Sequence, residues 1–514
     1  MDGEVYCKKR KMKKKLSAFG AFACVGVSLA AAFTDPSAWR LSRFAKIAGD
    51  RLVVDVPADR AAEGGFGRID VDLSPFRDRA VEAEVRVRGE NVTKGDVSWL
   101  GMKFMLHFRG TDGNDFWPQA GAETGSFGWK TIRFRQDMSS VSAADGRGEL
   151  TLGMQQGSGR LEFDLSSLKL SVGEPIWPRV NGGWRVTYPA RVAAIPVLRG
   201  VMLPGGACRE EDFATLRAWG ATLARYQMIR GWGDDNANRD LDDYDRWLDG
   251  KLDHLEKDVI PWARTYGIRL VVDLHVAPGG RRNGEMVMFH DRAAADRFVA
   301  CWGRIARRFR GNGDVIFGYD LINEPQQQLK ALDDCDYWNL QRRAAEAVRA
   351  ADPDTTIIVE SNGWDSPDAF SYLSPLAMDN VVYQAHMYAP HAFTHQGVGA
   401  REWKKTKYPD PENGWDKEFI RRQLEPVLRF RERHGARIYI GEFSAITWAE
   451  GADRYIADCI SLFEEYGFDW TYHAFREWPG WSVEHTCDGP GRPFSRSEDN
   501  ARMRALKAGL RAAK

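Results

Sequence analysis

The chain has 514 residues, of which 43% are hydrophobic. This is enough for a large buried core, and two domains are the natural expectation for such a length. Seventy-two basic residues balance 72 acidic ones, so the overall charge gives no support to a nucleic-acid or membrane-surface partner. A neutral ligand fits this balance better.

The first 33 residues have the pattern of a secretory signal. A basic stretch over residues 1–15 precedes an apolar run over 16–33 that is rich in small residues, as secretory signals require. The run is also about long enough to cross a bilayer, so an uncleaved anchor is the alternative. We predict a signal peptide over 1–33 and a secreted, periplasmic or cell-surface protein that is not stably inserted in a membrane after cleavage.

The cysteines outside this segment suggest neither a metal site nor a disulfide framework. They are odd in number and widely spaced, which favours scattered small core residues, although one pair could still bridge. These residues are Cys208, Cys301, Cys335, Cys459 and Cys487.

Residues 52–172 alternate between apolar and polar side chains, as half-buried β-strands do. Examples are AVEAEVRVR at 80–88, KTIRFR at 130–135 and GRLEFDL at 159–165, and short turns rich in Gly, Asp, Asn and Ser separate such stretches. This pattern predicts an all-β sandwich over 34–175. The segment 125–164 resembles jelly-roll-like carbohydrate-binding and galactose-binding-like domains. The resemblance implies a possible carbohydrate-binding module, with a purely structural spacer as the alternative.

After a linker near residues 173–178 the pattern changes to apolar strands alternating with amphipathic helices. The strands are predicted at 197–203, 222–228, 268–275, 315–323, 356–361, 381–388, 437–443 and 470–475. Helices are predicted at 252–266, 293–309, 337–351, 417–434, 452–466 and 499–513. Eight strands mostly followed by helices predict an α/β fold, a (β/α)8 TIM barrel over 180–514, whose active site lies at the carboxyl ends of the strands.

Polar residues gather at those predicted strand ends. Two of them, Glu324 and Glu442, each follow an apolar run, and a buried carboxylate is costly unless it has a purpose. A structural ion pair is the alternative for either glutamate taken alone. The other polar groups at strand ends are Arg225, His275, Asn323, His386, Tyr388 and the segment 476–478.

The contexts of these residues resemble glycoside hydrolase family 5. YDLINEP at 319–325 and IYIGEF at 438–443 are similar to the family's two catalytic strand ends, which fall on the fourth and seventh predicted strands. RGV at 199–201, LARY at 223–226 and VDLHVAPG at 272–279 also match it. The resemblance, which His386-Met387-Tyr388 extends to the sixth strand, covers nearly all of the chain from about residue 195 onward.

The resemblance implies a retaining glycoside hydrolase that cleaves β-glycosidic bonds in a polysaccharide or oligosaccharide, with β-glucan as the expected substrate. It implies that Glu324 is the general acid/base and that Glu442 is the nucleophile. The residues that it implies for substrate binding are Arg225, His275, Asn323, His386 and Tyr388. We also expect no metal, no cofactor and a monomer.

The eighth strand departs from the family, which usually places a Trp beneath the bound sugar. Here His473 stands at the most obvious aligned position, and Trp478 and Trp481 follow it. We choose Trp478 as the substrate-binding residue, with Trp481 as the alternative. This departure concerns the subfamily and the sugar platform, and it does not touch the roles that the resemblance implies for the two glutamates.

Other functions compatible with the sequence are a β-mannan, xyloglucan or glycolipid hydrolase of the same family and a non-catalytic carbohydrate-binding barrel. A metal-dependent barrel hydrolase would need clustered ligands such as a His-x-His pair on an early strand, and the sequence has no such pair.

Overall fold

The computed structural model describes residues 33–511 except 78, 96–98, 111–114, 139–142, 174–182, 206–207, 232–236, 283 and 400–402. The predicted signal peptide, apart from Phe33, therefore lies outside the described residues. Of the helices that the structure describes, none combines the length and the apolar character needed to cross a bilayer. The chain forms two compact units, which comprise the described residues of Met1–Arg77, Val81–Phe134 and Ala143–Gly173, and of Asp78–Ala80, Arg135–Ser142 and Glu174–Lys514.

The N-terminal region consists of strands, as the alternating pattern predicts. They form two five-stranded sheets in the orders β1-β4-β9-β6-β7 and β2-β3-β10-β5-β8. The pairs β4–β9 and β3–β10 are antiparallel. The strands are β1 (Arg40–Leu41), β2 (Ala45–Ala48), β3 (Arg51–Val56), β4 (Gly65–Asp72), β5 (Ala80–Val92), β6 (Gly101–Arg109), β7 (Asp115–Phe116), β8 (Gly125–Asp137), β9 (Arg147–Gln155) and β10 (Gly159–Gly173).

The two sheets meet through the apolar residues of each alternating strand. In β6, Phe104 is fully buried and its ring contacts that of Phe134 from the other sheet edge-on, with centroids 4.8 Å apart. Because successive side chains of a strand point to opposite faces, Lys103, Met105 and His107 of β6 belong to the outer face of their sheet.

Eight parallel strands close into a barrel in the C-terminal region, and each overlaps a predicted strand. The eighth strand pairs with the first, with Arg199 opposite Trp470, so the (β/α)8 prediction is confirmed. The barrel strands, numbered one to eight in chain order, are Arg199–Met202, Leu223–Gln227, Arg269–Asp273, Ile316–Asp320, Thr356–Glu360, Val381–Met387, Arg437–Phe443 and Asp469–Tyr472.

Helices follow most of these strands. The helix after the second strand begins at Leu241 rather than at residue 252, because Asp240 caps it by accepting hydrogen bonds from the backbone N–H groups of Asp242 and Asp243. After the fifth strand there is instead a 3-10 turn at Pro367–Ser371. The α-helices are Ala190–Ala193, Glu210–Trp219, Leu241–His254 (continuing through a π-turn into Ile260–Tyr266), Arg292–Phe309, Tyr337–Ala351, His391–Thr394, Lys417–His434, Ala452–Tyr466 and Ala501–Arg511.

The barrel interior is layered, and the layers explain where the polar groups lie. One layer is a buried apolar cluster of Leu198, Leu223, Val271, Phe317, Ile358, Val382 and Tyr439. Two residues further along, the same inward face carries Arg225, Asp273, Glu360 and Gln384 on strands two, three, five and six, all fully buried. The fold therefore places a polar layer directly below the carboxyl-end face of the barrel.

Candidate active site

Arg225 lies at the centre of the polar layer and has no solvent exposure. Its Nη1 donates to Oε1 of Glu442 at 2.7 Å, and its Nε donates to Oδ2 of Asp320 at 3.0 Å. Its Nη2 donates to Oδ1 of Asn323 at 2.9 Å and to Oε1 of Glu360 at 3.0 Å. The planar guanidinium, with its five N–H groups, thereby fixes four side chains that come from the fourth, fifth and seventh barrel strands and the loop after the fourth.

Glu442, on the seventh barrel strand, is held through both carboxylate oxygens. Its Oε2 accepts a hydrogen bond from the Tyr388 hydroxyl at 2.9 Å, while Arg225 binds Oε1. Burial alone would raise the pKa of Glu442, but the charges of His386, His473 and Arg225 hold this pKa well below its usual range. Glu442 is therefore an anion with fixed orientation.

Glu324 lies in the loop after the fourth barrel strand, close to Glu442. Its Oε1 is 2.9 Å from Nδ1 of His386, and the same nitrogen is 3.8 Å from Oε2 of Glu442. One carboxylate oxygen of each glutamate and a ring nitrogen of His386 lie within 4.8 Å of one another. The two predicted catalytic carboxylates thus face each other across one imidazole.

The backbone of Glu324 is held on both sides by side chains. Its φ of 49° is in the left-handed region, which is uncommon for residues other than glycine. Its N–H donates to Oε2 of Glu360 at 2.6 Å, and its carbonyl accepts from Nη2 of Arg281 at 2.8 Å. The Arg281 guanidinium lies 4.7 Å from the ring centroid of Trp364.

His275 and Asn323 belong to the same cluster. Nδ1 of His275 is 2.7 Å from Oδ2 of Asp273, which is in turn 3.4 Å from Nη2 of Arg225. Asn323 is fully buried, and its Nδ2 has no hydrogen-bond partner among the described residues. That amide is a donor suited to a ligand hydroxyl.

His473 occupies the end of the eighth strand beside the nucleophile candidate. Its Nδ1 is 2.7 Å from the hydroxyl of Tyr388 and 3.7 Å from Oε2 of Glu442, and its Nε2 is 2.9 Å from Oε2 of Glu477. Burial alone would lower the pKa of His473, but the carboxylates of Glu442 and Glu477 raise it to about 9. The imidazole is therefore cationic at neutral pH.

The two tryptophans after the eighth strand lie at different depths. Trp481 is 8% exposed, and its ring centroid is 5.6 Å from that of His473 and 6.4 Å from that of Tyr388. Trp478 is 37% exposed and packs against Trp481, with centroids 5.8 Å apart. Trp478 therefore adjoins the cluster through Trp481.

Further acidic groups surround Arg225. Burial is the largest cause that raises the pKa of Asp320, to about 7, and the pKa of Glu360 and of Asp365 well above the usual range. Two overlapping triads could offer a cation three ligand atoms within 4.8 Å of one another. They are Glu324, His386 and Glu442, and Glu360, Asp365 and His386.

The structure joins most of the sequence-predicted site residues in one network of contacts. Trp478 adjoins it indirectly, as described above. The residues brought together are Arg225, His275, Asn323, Glu324, His386, Tyr388 and Glu442. Five residues of this network were not predicted from the sequence: Asp273, Asp320, Glu360, Asp365 and Gln384. The first three end apolar strands, which is also the position of Glu442.

Comparison with known proteins relates the barrel region to a family. A family model described as Cellulase (glycosyl hydrolase family 5) matches residues 196–477. Endoglucanase C of Acetivibrio thermocellus is 29% identical over 301 residues, which cover 51% of this chain and 83% of that protein. Cellodextrinase A of Ruminococcus flavefaciens is 25% identical over 284 residues, covering 52% and 79%. The structure of Thermotoga maritima Cel5A in complex with cellobiose has a TM-score of 0.48 and 21% identity, covering 60% of this chain and 97% of that one.

Proposed function

Because the chain belongs to glycoside hydrolase family 5, we propose that it hydrolyses β-glucan by double displacement, with Glu442 as the nucleophile and Glu324 as the general acid/base. The observation that carries this proposal is the difference between the contacts of the two carboxylates. Glu442 is held as an anion by Arg225 and Tyr388, whereas Glu324 contacts only His386 through its carboxylate among the described residues. The two have different environments, as an acid and a nucleophile must.

In the first step, the Glu324 carboxylic acid protonates the glycosidic oxygen as the bond from that oxygen to the anomeric carbon breaks. The Glu442 carboxylate forms a bond to the anomeric carbon from the opposite face, which gives a covalent glycosyl-enzyme. Retaining enzymes hold their carboxyl groups about 5 Å apart, and oxygens of these two lie within 4.8 Å.

In the second step, Glu324, now a carboxylate, takes a proton from water, whose oxygen attacks the anomeric carbon. The bond to Glu442 breaks, and the sugar leaves with its original anomeric configuration. The amide of Asn323 is suited to donate to the sugar 2-hydroxyl, an interaction that strengthens in the transition state. His275 and Trp478 are proposed to contact the sugar from the rim. This chemistry uses carboxylates and hydrogen bonds and calls for no metal or cofactor.

The names of the relatives support β-glucan as the substrate, since they are an endoglucanase and a cellodextrinase. β-Mannan, xyloglucan and glycolipids are the alternatives, because loops rather than the barrel decide which sugar fits. A β-glucan polymer cannot cross a membrane, so an enzyme that hydrolyses it must reach it outside the membrane. This supports the predicted secretion.

The proposal is tested at Glu442. Glu442→Ala should abolish hydrolysis of every substrate that the parent enzyme accepts, because it removes the group that bonds to the anomeric carbon. A 2-deoxy-2-fluoro-β-glycoside with a good leaving group should label Glu442 in the parent, as located by peptide mass spectrometry. A label on the nearby Glu477 would contradict the assignment.

We also propose that the N-terminal sandwich binds a sugar chain through Trp117. Its indole ring stacks on the imidazole of His107, with centroids 3.7 Å apart and an interplanar angle of 11°, yet Trp117 is 54% exposed. One face of the indole ring thus stacks on His107, while about half of the side chain is exposed to solvent. Asp115 bonds to His107 at 3.1 Å, and such planar polar groups beside an exposed ring suit the hydroxyls and C–H faces of a sugar.

A further inference from the structure

We infer that Glu360, at the end of the fifth barrel strand, is a positioning residue that sets the two proposed catalytic carboxylates relative to each other. This inference rests on the proposed double displacement. Glu360 has no solvent exposure, and both of its carboxylate oxygens already accept hydrogen bonds from protein donors, so it is not a substrate contact. It acts through the backbone of Glu324 on one side and through the guanidinium that binds Glu442 on the other.

The first connection runs from Glu360 to the acid/base. Oε2 of Glu360 accepts the hydrogen bond from the backbone N–H of Glu324 at 2.6 Å. Glu324 has a left-handed backbone, which a non-glycine residue keeps only where its surroundings enforce it. Arg281 binds the carbonyl of Glu324, so removal of the Glu360 carboxylate would leave one of the two side-chain restraints on this residue.

The second connection runs from Glu360 to the nucleophile. Oε1 of Glu360 accepts from Nη2 of Arg225 at 3.0 Å, and Nη1 of the same guanidinium binds Glu442 at 2.7 Å. Because a guanidinium is planar and rigid, fixing Nη2 also fixes the direction in which Nη1 points. The orientation of Glu442 therefore depends on Glu360 through one intervening side chain.

A third contact links Glu360 to the imidazole between the two carboxylates. Oε1 of Glu360 also accepts from Nε2 of Gln384, and this nitrogen is 3.1 Å from Nε2 of His386. His386 is in turn the ring that contacts Glu324. Three hydrogen-bond donors therefore reach the Glu360 side chain, and they favour its carboxylate form against the burial that raises its pKa. An isosteric amide at this position could not accept from all three.

Glu360 is itself firmly anchored. Gln341, on the helix Tyr337–Ala351, accepts from the backbone N–H of Glu360 at 2.9 Å and donates to its carbonyl at 2.8 Å. The barrel strand and the amide of Gln341 thus both hold the backbone of Glu360 in place. Holding reacting groups in position is worth a large factor in rate, and a displacement of about 1 Å can cost about 100-fold.

The experiment compares the full-length parent enzyme with Glu360→Gln. The amide keeps the size of the side chain but has one acceptor oxygen, so at least one of the three connections must be lost. We expect kcat to fall by about 100-fold with little change in KM, because substrate contacts remain. The loss should appear with good and poor leaving groups alike, and labelling by the 2-fluoroglycoside should slow to a similar extent.

Two further variants make the outcome decisive. Asp352→Asn is the matched control, since Asp352 is equally buried but binds Tyr319 and Thr355 away from the site; it should lower stability and leave kcat unchanged. Gln341→Met releases the backbone of Glu360 without touching the catalytic groups, and should lower kcat but not KM. A folded Glu360→Gln enzyme with parental kcat would overturn the inference. If that variant fails to fold, parental kcat in Gln341→Met overturns it instead. If the parent enzyme hydrolyses no β-glycoside, the proposed function itself is refuted. This outcome differs from an active parent whose kcat is unchanged in the variants, which refutes only the role of Glu360.

Discussion

Glu324 has two roles in the proposed mechanism, and substrates can separate them. Glu324→Ala should slow hydrolysis of substrates with poor leaving groups by about 10² to 10⁴-fold, because the departing oxygen needs a proton. An aryl glycoside with a good leaving group needs little such help, so its covalent intermediate should still form and then accumulate. Azide attacks without deprotonation and should restore turnover, giving a β-glycosyl azide that is detected by mass spectrometry.

Glu346→Ala is the control for this experiment. Glu346 lies on the helix Tyr337–Ala351, where it pairs with Arg342 at 2.7 Å, and its loss should change neither substrate class. Equal losses with good and poor leaving groups in Glu324→Ala, without azide rescue, would mean that Glu324 is structural or that the two glutamate roles are reversed.

His473 predicts how stability depends on pH. The pKa of His473 is raised to about 9 in the folded protein, against about 6.5 for an unfolded histidine. The folded state therefore binds the proton more tightly, so the contribution of His473 to stability is complete below about pH 6.5 and is lost as the pH rises through about 9.

We expect His473→Gln to lack this dependence. The difference in the free energy of unfolding between the parent and His473→Gln should shrink from pH 6.5 to 9, as measured by chemical denaturation at a series of pH values. A difference that is constant over this range would show that His473 is not protonated beside Glu442.

The residues that the sequence analysis did not identify show what strand-end reasoning can and cannot find. Glu360, Asp273 and Asp320 each end an apolar strand, which is the same local signal that identified Glu442. What the sequence could not show is that all three converge on Arg225. That convergence depends on how strands two to five are staggered in the barrel, and no local pattern encodes it.

At the scale of the element, the seventh barrel strand requires a glycine at residue 441, where it packs against Gln384 of the sixth strand. A Cβ on Gly441 would lie 2.4 Å from Cδ of Gln384 and 2.5 Å from its Nε2. That amide contacts both Glu360 and His386. Gly441→Ala should therefore displace the amide and lower kcat by about tenfold or more, judged against the cost of misplacing catalytic groups, as steady-state kinetics would show.

Gly250 provides the matched control for alanine substitution at a glycine. It is exposed within the helix Leu241–His254, and a Cβ there would meet no atom within 4 Å. Gly250→Ala should leave kcat unchanged and raise the free energy of unfolding by about 0.5 to 1 kcal/mol. Parental activity in Gly441→Ala would show that the Gln384 amide can move without consequence.

Whether a segment forms a strand or a helix was predicted more accurately than the residues at which it begins and ends. All eight barrel strands are found because their apolar runs are buried on both faces, and this signal is strong. The predicted strand over 315–323 ends at Asp320, so Asn323 and Glu324 lie in the following loop. The start of the helix at Leu241 was not identified, since its first turns are rich in aspartate, which is a weak helix former away from the cap.

At the scale of the whole molecule, the chain combines a barrel of one family with a sandwich whose outer face carries an exposed tryptophan. The two five-stranded sheets agree with the all-β prediction. Alternation predicts which residues of a strand share a face. It does not predict that Trp117 stacks on His107, because that contact depends on the register in which β7 pairs with β6.

This stacking leads to a separate test of the sandwich. Trp117→Ala should weaken adsorption of the full-length enzyme to insoluble β-glucan by about 3- to 10-fold, the equivalent of one aromatic contact. Hydrolysis of a soluble aryl glycoside should be unchanged, because that substrate needs only the barrel site. Trp129→Ala is the control, since the ring of Trp129 is already approached by the guanidinium groups of Arg51, Arg86 and Arg88 at 5.3 to 5.4 Å. If Trp117→Ala adsorbs as strongly as Trp129→Ala and the parent, the outer face of this sheet does not bind the polymer.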